Sequence, residues 1–213
     1  MNLTRKFSAL KQRKRRVMRD EIARLIDALA RPAGESSDFD LNPVLLPESR
    51  ALRPAAVLVP IWLRPDGARL ILTKRASHLK HHPGQIAFPG GKVDAEDSGP
   101  EAAALREAWE EIGLPPERVQ VLGQLPCHET VTSYLMTPIL GLVRDDFAPR
   151  PELGEVEEVF SVPLAHVLDQ ARFVIEGRVW KGQPRRYYAV PYGPYYIWGA
   201  TARILRNLAE MAS

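Results

Sequence analysis

The stretch GGKVDAEDSGPEAAALREAWEEIGL, residues 90–114, decides the fold of this chain. Its second half is rich in Ala, Leu and Glu, which are residue types that favour an α-helix. Pro100 suits the first helical position with Ser98 or Gly99 as the N-cap, and Gly113 is typical of a helix end. The stretch therefore predicts a loop followed by a helix that starts at Pro100 and ends before Gly113.

The predicted helix carries an acidic face and an apolar face. Glu107, Glu110 and Glu111 fall within an arc of about 100°, because successive helical residues are about 100° apart. The opposite arc is apolar and consists of Leu105, Ala108, Trp109 and Ile112. We expect the apolar arc to pack on a core. The acidic arc is then expected to point away from that core, toward a cleft or solvent.

The acidic face needs a compensating positive charge. Like charges three or four residues apart on a helix repel each other by about 0.2–0.5 kcal/mol per pair. A divalent cation would relieve this repulsion, and carboxylates without neighbouring Cys or His indicate a hard ion, Mg²⁺ or Mn²⁺. A bare acidic cluster is more often a solvated face. The preceding turn, residues 88–91, favours the metal because its two glycines let the backbone approach closely.

The spacing of these residues resembles the Nudix box of nucleoside diphosphate-X hydrolases. The resemblance rests on Gly91, Asp97 and the run REAWEEIGL at residues 106–114. The box of that family normally has Glu where this chain has Asp97, and one residue fewer before the Arg-Glu pair. Both departures lie in the loop half, so they put in question only the role of the first acidic position. The resemblance implies an α/β protein with the Nudix fold, an α/β/α sandwich with a mixed β-sheet.

Sequence outside the box resembles the coenzyme A pyrophosphatase subfamily. The segment LTKRASHLKHHPGQIAFPGGKVDAED, residues 72–97, is similar to the signature that precedes and enters the box in that subfamily. Three later segments are also similar to it: TSYLMTPILGLV, EVEEVFSVPL and YYAVPYGPYYIWGATARIL. The resemblance implies a metal-dependent enzyme that cuts coenzyme A, or an acylated or oxidised derivative, into 3′,5′-ADP and 4′-phosphopantetheine.

The same resemblance implies roles for residues of the box. Glu107 and Glu111 are expected to bind the metal, with the Gly91 carbonyl as an additional ligand. Glu110 is expected to be catalytic, either as a third ligand or by orienting metal-bound water. Arg106 is expected to orient a catalytic carboxylate through a bidentate ion pair, and a surface ion pair of little energetic value is the alternative.

A loop acid after the box is the candidate general base. Glu158 or Glu155 fits the subfamily pattern better than Glu157, and we assign the role to Glu158. Plain surface acidity is the alternative for all three residues.

Cationic and polar residues just before the box are expected to bind the phosphate groups of the substrate. Arg75 is the first choice because its guanidinium forks around phosphate oxygens. The other assigned residues are Lys74, His82 and Gln85. A structural role is equally open for His82. Aromatic residues near the C-terminus could stack on adenine, but core or interface packing is the favoured interpretation for Tyr192, Tyr195, Tyr196 and Trp198.

The remaining sequence predicts the frame around this site. AAVLVPIWL and ARLILTKR read as two strands that form a hairpin through turn residues 64–67. Further strands are predicted in VQVLGQL, YLMTPILGLV and EEVFSVP, and a second hairpin in FVIEGRVWKGQPRRYYAV. WGATARILRNLAEM predicts a terminal amphipathic helix. The Nudix hydrolase domain is therefore assigned to residues 51–213.

Residues 1–50 are predicted to form a basic N-terminal arm, a short helix and a linker. Residues 1–19 contain eight Lys or Arg and no acid. A mobile, solvated arm is the favoured interpretation, and the alternatives are an organellar transit peptide or a patch for nucleic acid or anionic lipid. Apolar side chains at helical spacing predict a short helix over residues 19–30. Three prolines mark residues 31–50 as a connecting segment.

Composition is that of an ordinary globular chain. The 213 residues are 45% hydrophobic and 26% charged, with a net charge of +3. A single cysteine, Cys127, excludes an internal disulfide and fits a reducing compartment. We expect a cytoplasmic protein without a membrane span, although the basic N-terminus leaves organellar targeting open. A homodimer is left open as well.

Two other functions compete with the coenzyme A assignment. The first is hydrolysis of another nucleoside diphosphate derivative, such as ADP-ribose or NADH. The second is a non-catalytic Nudix module that binds nucleic acid through the basic arm. The cluster of Glu107, Glu110 and Glu111 argues against this module, because a binding protein has no need of mutually repelling carboxylates.

Overall fold

The described part of the chain forms a nine-stranded mixed sheet with helices on both faces, and a separate hairpin. A computed structural model describes residues 3–43, 49–144, 147–180 and 182–213. The helices are α1 (Leu3–Leu29), α2 (Pro100–Ile112), α3 (Leu164–Leu168) and α4 (Gly199–Met211). The strands are β1 (Ser36–Ser37), β2 (Arg53–Arg64), β3 (Gly67–Arg75), β4 (Ile86–Ala87), β5 (Gly90–Lys92), β6 (Val119–Gln124), β7 (His128–Glu129), β8 (Tyr134–Val143), β9 (Val156–Pro163), β10 (Val174–Trp180) and β11 (Gln183–Ala189).

The order of the strands makes the sheet mixed. Neighbouring strands follow the order β1-β7-β8-β2-β3-β4, and β5, β6 and β9 pair with β2, β8 and β3 respectively. The central pair β2 and β8 is parallel, whereas β2 and β3 form an antiparallel hairpin. Strands β10 and β11 form the second hairpin outside this sheet. The two hairpins, the later strands and the terminal helix that the sequence predicts are all confirmed.

Alternating side chains of β2 build the two cores of the sandwich. Ala56 and Leu58 pack with α2 on one face of the sheet. Val57 and Val59 point to the other face, where they pack with residues of α1, α3 and α4. Because successive strand residues face opposite sides, one apolar run serves both cores. The result is the α/β/α arrangement that the sequence predicts.

The bounds of α2 agree with the prediction, and its apolar face agrees except at Trp109. The helix spans Pro100–Ile112 and ends at Gly113, whose φ of 68° is left-handed. Ala108 and Ile112 are buried and Leu105 packs against the same core, as predicted. Trp109, expected to face the core, is 45% exposed, whereas Glu111 is only 5% exposed. The buried face also includes Ala103 and Ala104, whose small side chains allow the helix to pack close to the sheet.

The N-terminal region contributes to the core. Helix α1 begins at Leu3, so the predicted helix over residues 19–30 is too short and the expected mobile arm is helical. Leu25 and Ala28 are fully buried among residues of the α4 side of the sheet. Within the predicted linker, β1 adds to the sheet beside β7, while residues 44–48 lie outside the described part of the chain.

A buried polar network fastens β1 to β7. The Ser36 hydroxyl lies 2.9 Å from His128 Nδ1, and His128 Nε2 lies 3.2 Å from Asp38 Oδ1. The second Asp38 carboxylate oxygen accepts a hydrogen bond from the Val131 amide at 2.8 Å. Ser36 and His128 are buried, so this trio is closed to any substrate and stabilises the edge of the sheet.

No helix in the described ranges is both long and apolar enough to cross a membrane.

If α1 is part of the folded core, removing one of its buried side chains must destabilise the whole protein. We expect Leu25→Ala to lower the free energy of unfolding by about 2–5 kcal/mol in urea titrations, because it leaves a cavity. Ile26→Ala is the matched control, since Ile26 is 49% exposed, and should change stability by about 0.5 kcal/mol or less. Equal effects of the two substitutions would show that α1 does not pack as described.

Candidate active site

Two glycines bring the loop before α2 onto the carboxylates of that helix. The amide of Gly90 donates a hydrogen bond to Glu111 Oε2 at 3.1 Å. Gly90 has a φ of 155°, and a Cβ at this position would lie 2.4 Å from the Ala56 carbonyl oxygen. A Cβ on Gly91 would lie 2.5 Å from Glu107 Oε1. Only glycine fits at Gly90, where a Cβ would clash with backbone atoms, whereas a Cβ at Gly91 would displace the Glu107 carboxylate. The backbone thus closes directly over Glu107 and Glu111.

Burial makes Glu111 an unusual carboxyl group. The pKa of Glu111 is raised to about 8, chiefly by burial and also by the charges of Glu107 and Glu155. The hydrogen bond from the Gly90 amide and the charge of Arg75 lower this pKa in part. The pKa of Glu107 is raised as well, chiefly by burial, although Arg106 opposes this shift. Both neighbouring carboxyl groups are therefore harder to ionise than a free glutamate, and a bound cation would stabilise their ionised forms.

Arg106 ties the acidic residues of the loop and the helix together. Its Nε and Nη2 donate to the two carboxylate oxygens of Asp97 at 3.0 and 2.9 Å. Its Nη1 donates to Glu107 Oε1 at 3.1 Å and to Glu110 Oε2 at 3.0 Å. Asp97 therefore binds one edge of the guanidinium, and Nη1 of the same guanidinium binds Glu107 and Glu110. This bidentate pair gives the unusual first acidic position of the box a structural role, which sequence reasoning left open.

The three loop acids after the box have different surroundings. Glu155 is near enough to Glu107 and Glu111 for its charge to raise the pKa of both. Glu157 is engaged by Lys74 at 2.6 Å and by the Ser77 hydroxyl. Glu158 accepts a hydrogen bond from the Tyr195 hydroxyl at 2.6 Å and faces a cavity.

The cavity has a volume of about 540 Å³ and is lined by residues from several elements of the chain. Residues 82–86, which precede β5 by only a few positions, form one wall, and Glu158 forms part of another. The remaining lining residues are Lys74, Arg178, Pro194, Tyr195, Tyr196 and Trp198. Three of the four aromatic residues therefore line the cavity, where core or interface packing was expected. Tyr195 also packs against the core and stacks on Phe160, as that expectation has it. The fourth, Tyr192, packs against the core and the His166 ring.

Three of the four predicted substrate-binding residues line the cavity. They are Lys74, His82 and Gln85. Arg75, the first choice, does not line the cavity, and the pairing of β3 with β9 is irregular between Lys74 and Arg75. The charge of Arg75 instead acts on Glu111 and lowers the pKa of that group. Sequence reasoning missed Arg178, an arginine in an otherwise unremarkable hairpin that carries no motif.

The donor set of the site fits a hard divalent cation that keeps part of its hydration shell. Within the described residues, no three His, Cys, Asp or Glu side chains converge closely enough to enclose a metal. Mg²⁺ commonly uses only one or two protein carboxylates and completes its coordination with waters and substrate phosphates. The close pair Glu107 and Glu111 satisfies that requirement, and burial of both makes a cation favourable.

Comparison with known proteins agrees with this architecture. The model of the NUDIX domain matches residues 52–180. Proteins named "Uncharacterized Nudix hydrolase NudL" from Salmonella paratyphi B and Salmonella enteritidis are 43% identical over 169 residues, which are 79% of this chain and 88% of the relative. The chain therefore belongs to the Nudix family.

The solved structures to which this chain is similar include two Nudix hydrolases. The Nudix hydrolase RenU from M. smegmatis is 26% identical, with 57% of this chain and 76% of that chain covered and a TM-score of 0.47. A MutT NUDIX hydrolase from Burkholderia pseudomallei is 27% identical, with coverage of 55% and 86% and a TM-score of 0.42.

Membership of the family defines the reaction class. The protein is a Nudix hydrolase of a pyrophosphate substrate. Nudix hydrolases generally depend on a divalent metal, which agrees with the oxygen donors gathered under Gly90 and Gly91.

The raised pKa of Glu111 predicts how the stability of the metal-free protein depends on pH. An unfolded glutamate loses its proton above about pH 4.5, whereas folded Glu111 keeps it until about pH 8. Between these values the folded state binds more protons, so the free energy of unfolding falls as pH rises. We expect the unfolding temperature in EDTA to drop between pH 5 and pH 8, and this drop to shrink in Glu111→Gln. Identical pH profiles for the two proteins would contradict the assignment.

The pairing of Asp97 with Arg106 predicts a second outcome. Asp97→Ala should lower turnover by about 10- to 100-fold, because the guanidinium that orients Glu107 and Glu110 loses its anchor. Asp94→Ala is the matched control, since Asp94 is 55% exposed at its side chain and lies 3.4 Å from Arg106 Nη2. Steady-state kinetics should show a much smaller loss for the control. Equal losses would mean that Asp97 has no special part in holding Arg106.

Proposed function

We propose that this protein hydrolyses the pyrophosphate bond of coenzyme A, or of an acylated or oxidised derivative, to 3′,5′-ADP and 4′-phosphopantetheine. One observation carries the proposal. The segment that resembles the coenzyme A pyrophosphatase signature, residues 72–97, contributes most of one cavity wall and continues directly into the glycines over Glu107 and Glu111. A single segment therefore links a binding cavity to the carboxylate pair.

The carboxylates of α2 would hold the metal. Glu107 and Glu111 are the proposed side-chain ligands, and the Gly91 carbonyl is the proposed backbone ligand. A bound Mg²⁺ or Mn²⁺ supplies a water of lowered pKa and neutralises charge on the phosphoryl oxygens. The Gly90 amide fixes Glu111 at 3.1 Å, and the missing Cβ of Gly91 allows Glu107 to lie against the loop.

Arg106 and Glu110 would complete the catalytic group. Arg106 keeps Glu107 and Glu110 in fixed orientations through Nη1, which is a matter of geometry more than of affinity. Glu110 has a side chain that is 54% exposed, so it can reach water at the surface of the site. Its proposed role is to orient the attacking water.

The general base is proposed to be Glu158, and Glu155 is the alternative. Glu158 faces the cavity and is held by the Tyr195 hydroxyl, whereas Glu155 interacts electrostatically with Glu107 and Glu111. A general base must lie within hydrogen-bond reach of the water that it deprotonates. The acidic limb of the pH profile for kcat/KM should disappear in Glu158→Gln and persist in Glu155→Gln. The reverse pattern would assign the base to Glu155.

Substrate contacts are proposed in two places, in the cavity and beside the carboxylates. Lys74, His82 and Gln85 are proposed to meet the nucleotide or its phosphates in the cavity, and Arg75 to act beside the carboxylates. Lys74 already pairs with Glu157 at 2.6 Å, so its charge is partly neutralised. The polyanionic substrate therefore needs further cations.

A second function is hydrolysis of another adenine-containing diphosphate, such as ADP-ribose or NADH. The observation in its favour is the aromatic wall of Tyr195, Tyr196 and Trp198, which would stack on adenine in any of these compounds. Turnover of coenzyme A, ADP-ribose and NADH should be compared with Mg²⁺ and with Mn²⁺, and products separated by chromatography. We expect coenzyme A to give the highest kcat/KM, with 3′,5′-ADP and 4′-phosphopantetheine as products. Equal or faster hydrolysis of ADP-ribose would refute the coenzyme A proposal.

Loss of the Glu111 charge tests the metal-ligand proposal. Glu111→Gln should lower turnover by about two orders of magnitude or more, because a ligand charge is lost without a change in side-chain volume. Glu117→Gln is the matched control, since Glu117 is exposed and lies beyond the end of α2. Circular dichroism should show both variants folded. Wild-type turnover in Glu111→Gln, with Mg²⁺ present, would overturn the assignment.

A further inference from the structure

Among the described residues, one positively charged side chain of the cavity has no carboxylate partner. Arg178 projects from β10, and its guanidinium lies 4.2 Å from the centroid of the Trp198 ring. Both residues line the cavity. Lys74, the other cation there, already pairs with Glu157, and Glu158 adds a negative charge that would repel an anionic ligand. In the described ranges, no carboxylate forms an ion pair with Arg178.

The stacking on Trp198 fixes this guanidinium and leaves its edge available. An arginine on an aromatic ring uses the face of its planar group, whereas the N–H donors point outward around the edge. Those donors form a fork that matches two oxygens of a phosphate group. Trp198 itself is braced by the Tyr187 ring, whose centroid lies 5.0 Å away. The arrangement therefore holds a phosphate-binding group in place before any ligand arrives.

The register of the hairpin gives a second, independent indication of an anionic ligand. Arg178 and Arg185 lie directly opposite each other in the antiparallel pair. Like charges at opposed positions destabilise a sheet. The charge of Asp38 acts on Arg185, whose pKa is lowered chiefly by burial and also by Arg178. An anion bound at Arg178 would relieve the remaining repulsion.

We infer that Arg178, seated on Trp198, binds a phosphate monoester of the substrate and so makes the enzyme prefer a nucleotide with a 3′-phosphate. This inference rests on the proposed coenzyme A hydrolase function and adds to it the group that is recognised. Coenzyme A carries a 3′-phosphate on its ribose, whereas ADP-ribose, NADH and dephospho-coenzyme A do not. Arg178 is therefore a specificity-determining residue that takes no part in cleaving the pyrophosphate bond.

The test compares two substrates that differ only in this phosphate. In Arg178→Ala, kcat/KM for coenzyme A should fall by about 10- to 100-fold, mainly through KM, because a charged hydrogen-bonded contact is lost. The value for dephospho-coenzyme A should stay within about twofold of wild type. In Arg178→Lys, which keeps the charge but lacks the forked N–H donors, kcat/KM for coenzyme A should lie between the values of wild type and Arg178→Ala. Arg186→Ala is the matched control, since Arg186 is exposed on the neighbouring strand and does not line the cavity.

A binding measurement without metal separates failure of this inference from failure of the proposed function. Calorimetry with adenosine 3′,5′-bisphosphate should show tighter binding than 5′-AMP in wild type, and this difference should vanish in Arg178→Ala. If wild type binds in this way but does not hydrolyse coenzyme A, the proposed function fails while the phosphate site stands. An equal loss for both substrates in Arg178→Ala, no loss for either, or no preference of wild type for the bisphosphate would overturn the inference.

Discussion

The hydrogen bond from the Gly90 amide to Glu111 is the contact on which the rest of this structure depends. It joins the end of β5 to the middle of α2, so the loop, the sheet and the helix meet at one carboxylate. A buried carboxyl group is costly unless it is hydrogen-bonded or neutralised. The backbone amide offsets only part of this cost, since the pKa of Glu111 still lies at about 8. The protein therefore holds a site that becomes favourable when a cation enters.

Lys74 and Arg75 are neighbours on β3 but act in different places. Lys74 lines the cavity, whereas the charge of Arg75 acts on Glu111. Residues 82–91 run from the wall of the cavity to the glycines over the carboxylates. The β10–β11 hairpin adds Arg178 and so extends the cavity beyond the segment that carries the family motif.

Much of the site could be predicted from the sequence because its spacing is local. The bounds of α2 follow from Pro100 and Gly113, and the grouping of Glu107 with Glu111 follows from helical geometry. The orientation of the helix could not be predicted in the same way. The hydrophobic pattern places Trp109 inside and Glu111 outside. In the structure Glu111 is buried, because three alanines pack beside it on the sheet side and the Gly90 amide donates a hydrogen bond to its carboxylate.

Other features depend on contacts between distant parts of the chain. The helical spacing of apolar residues over 19–30 predicts that this helix packs on the body of the protein or on a partner, and the burial of Leu25 confirms packing on the body. The surface that covers Leu25 includes residues of α4, about 180 positions away, which the local spacing does not identify. Arg178 gains its role only when the hairpin brings it over Trp198. Asp97 is an intermediate case. It lies close to Arg106 in the sequence, but its two hydrogen bonds to Arg106 are visible only in the structure.

Buried Glu111 is proposed as a metal ligand that the loop holds in place. A calorimetric titration of Mn²⁺ into wild type, Glu111→Gln and Glu117→Gln, without substrate, tests this directly. We expect the same affinity for wild type and Glu117→Gln, and an affinity lower by at least about tenfold for Glu111→Gln. Wild-type affinity in Glu111→Gln would contradict the proposal.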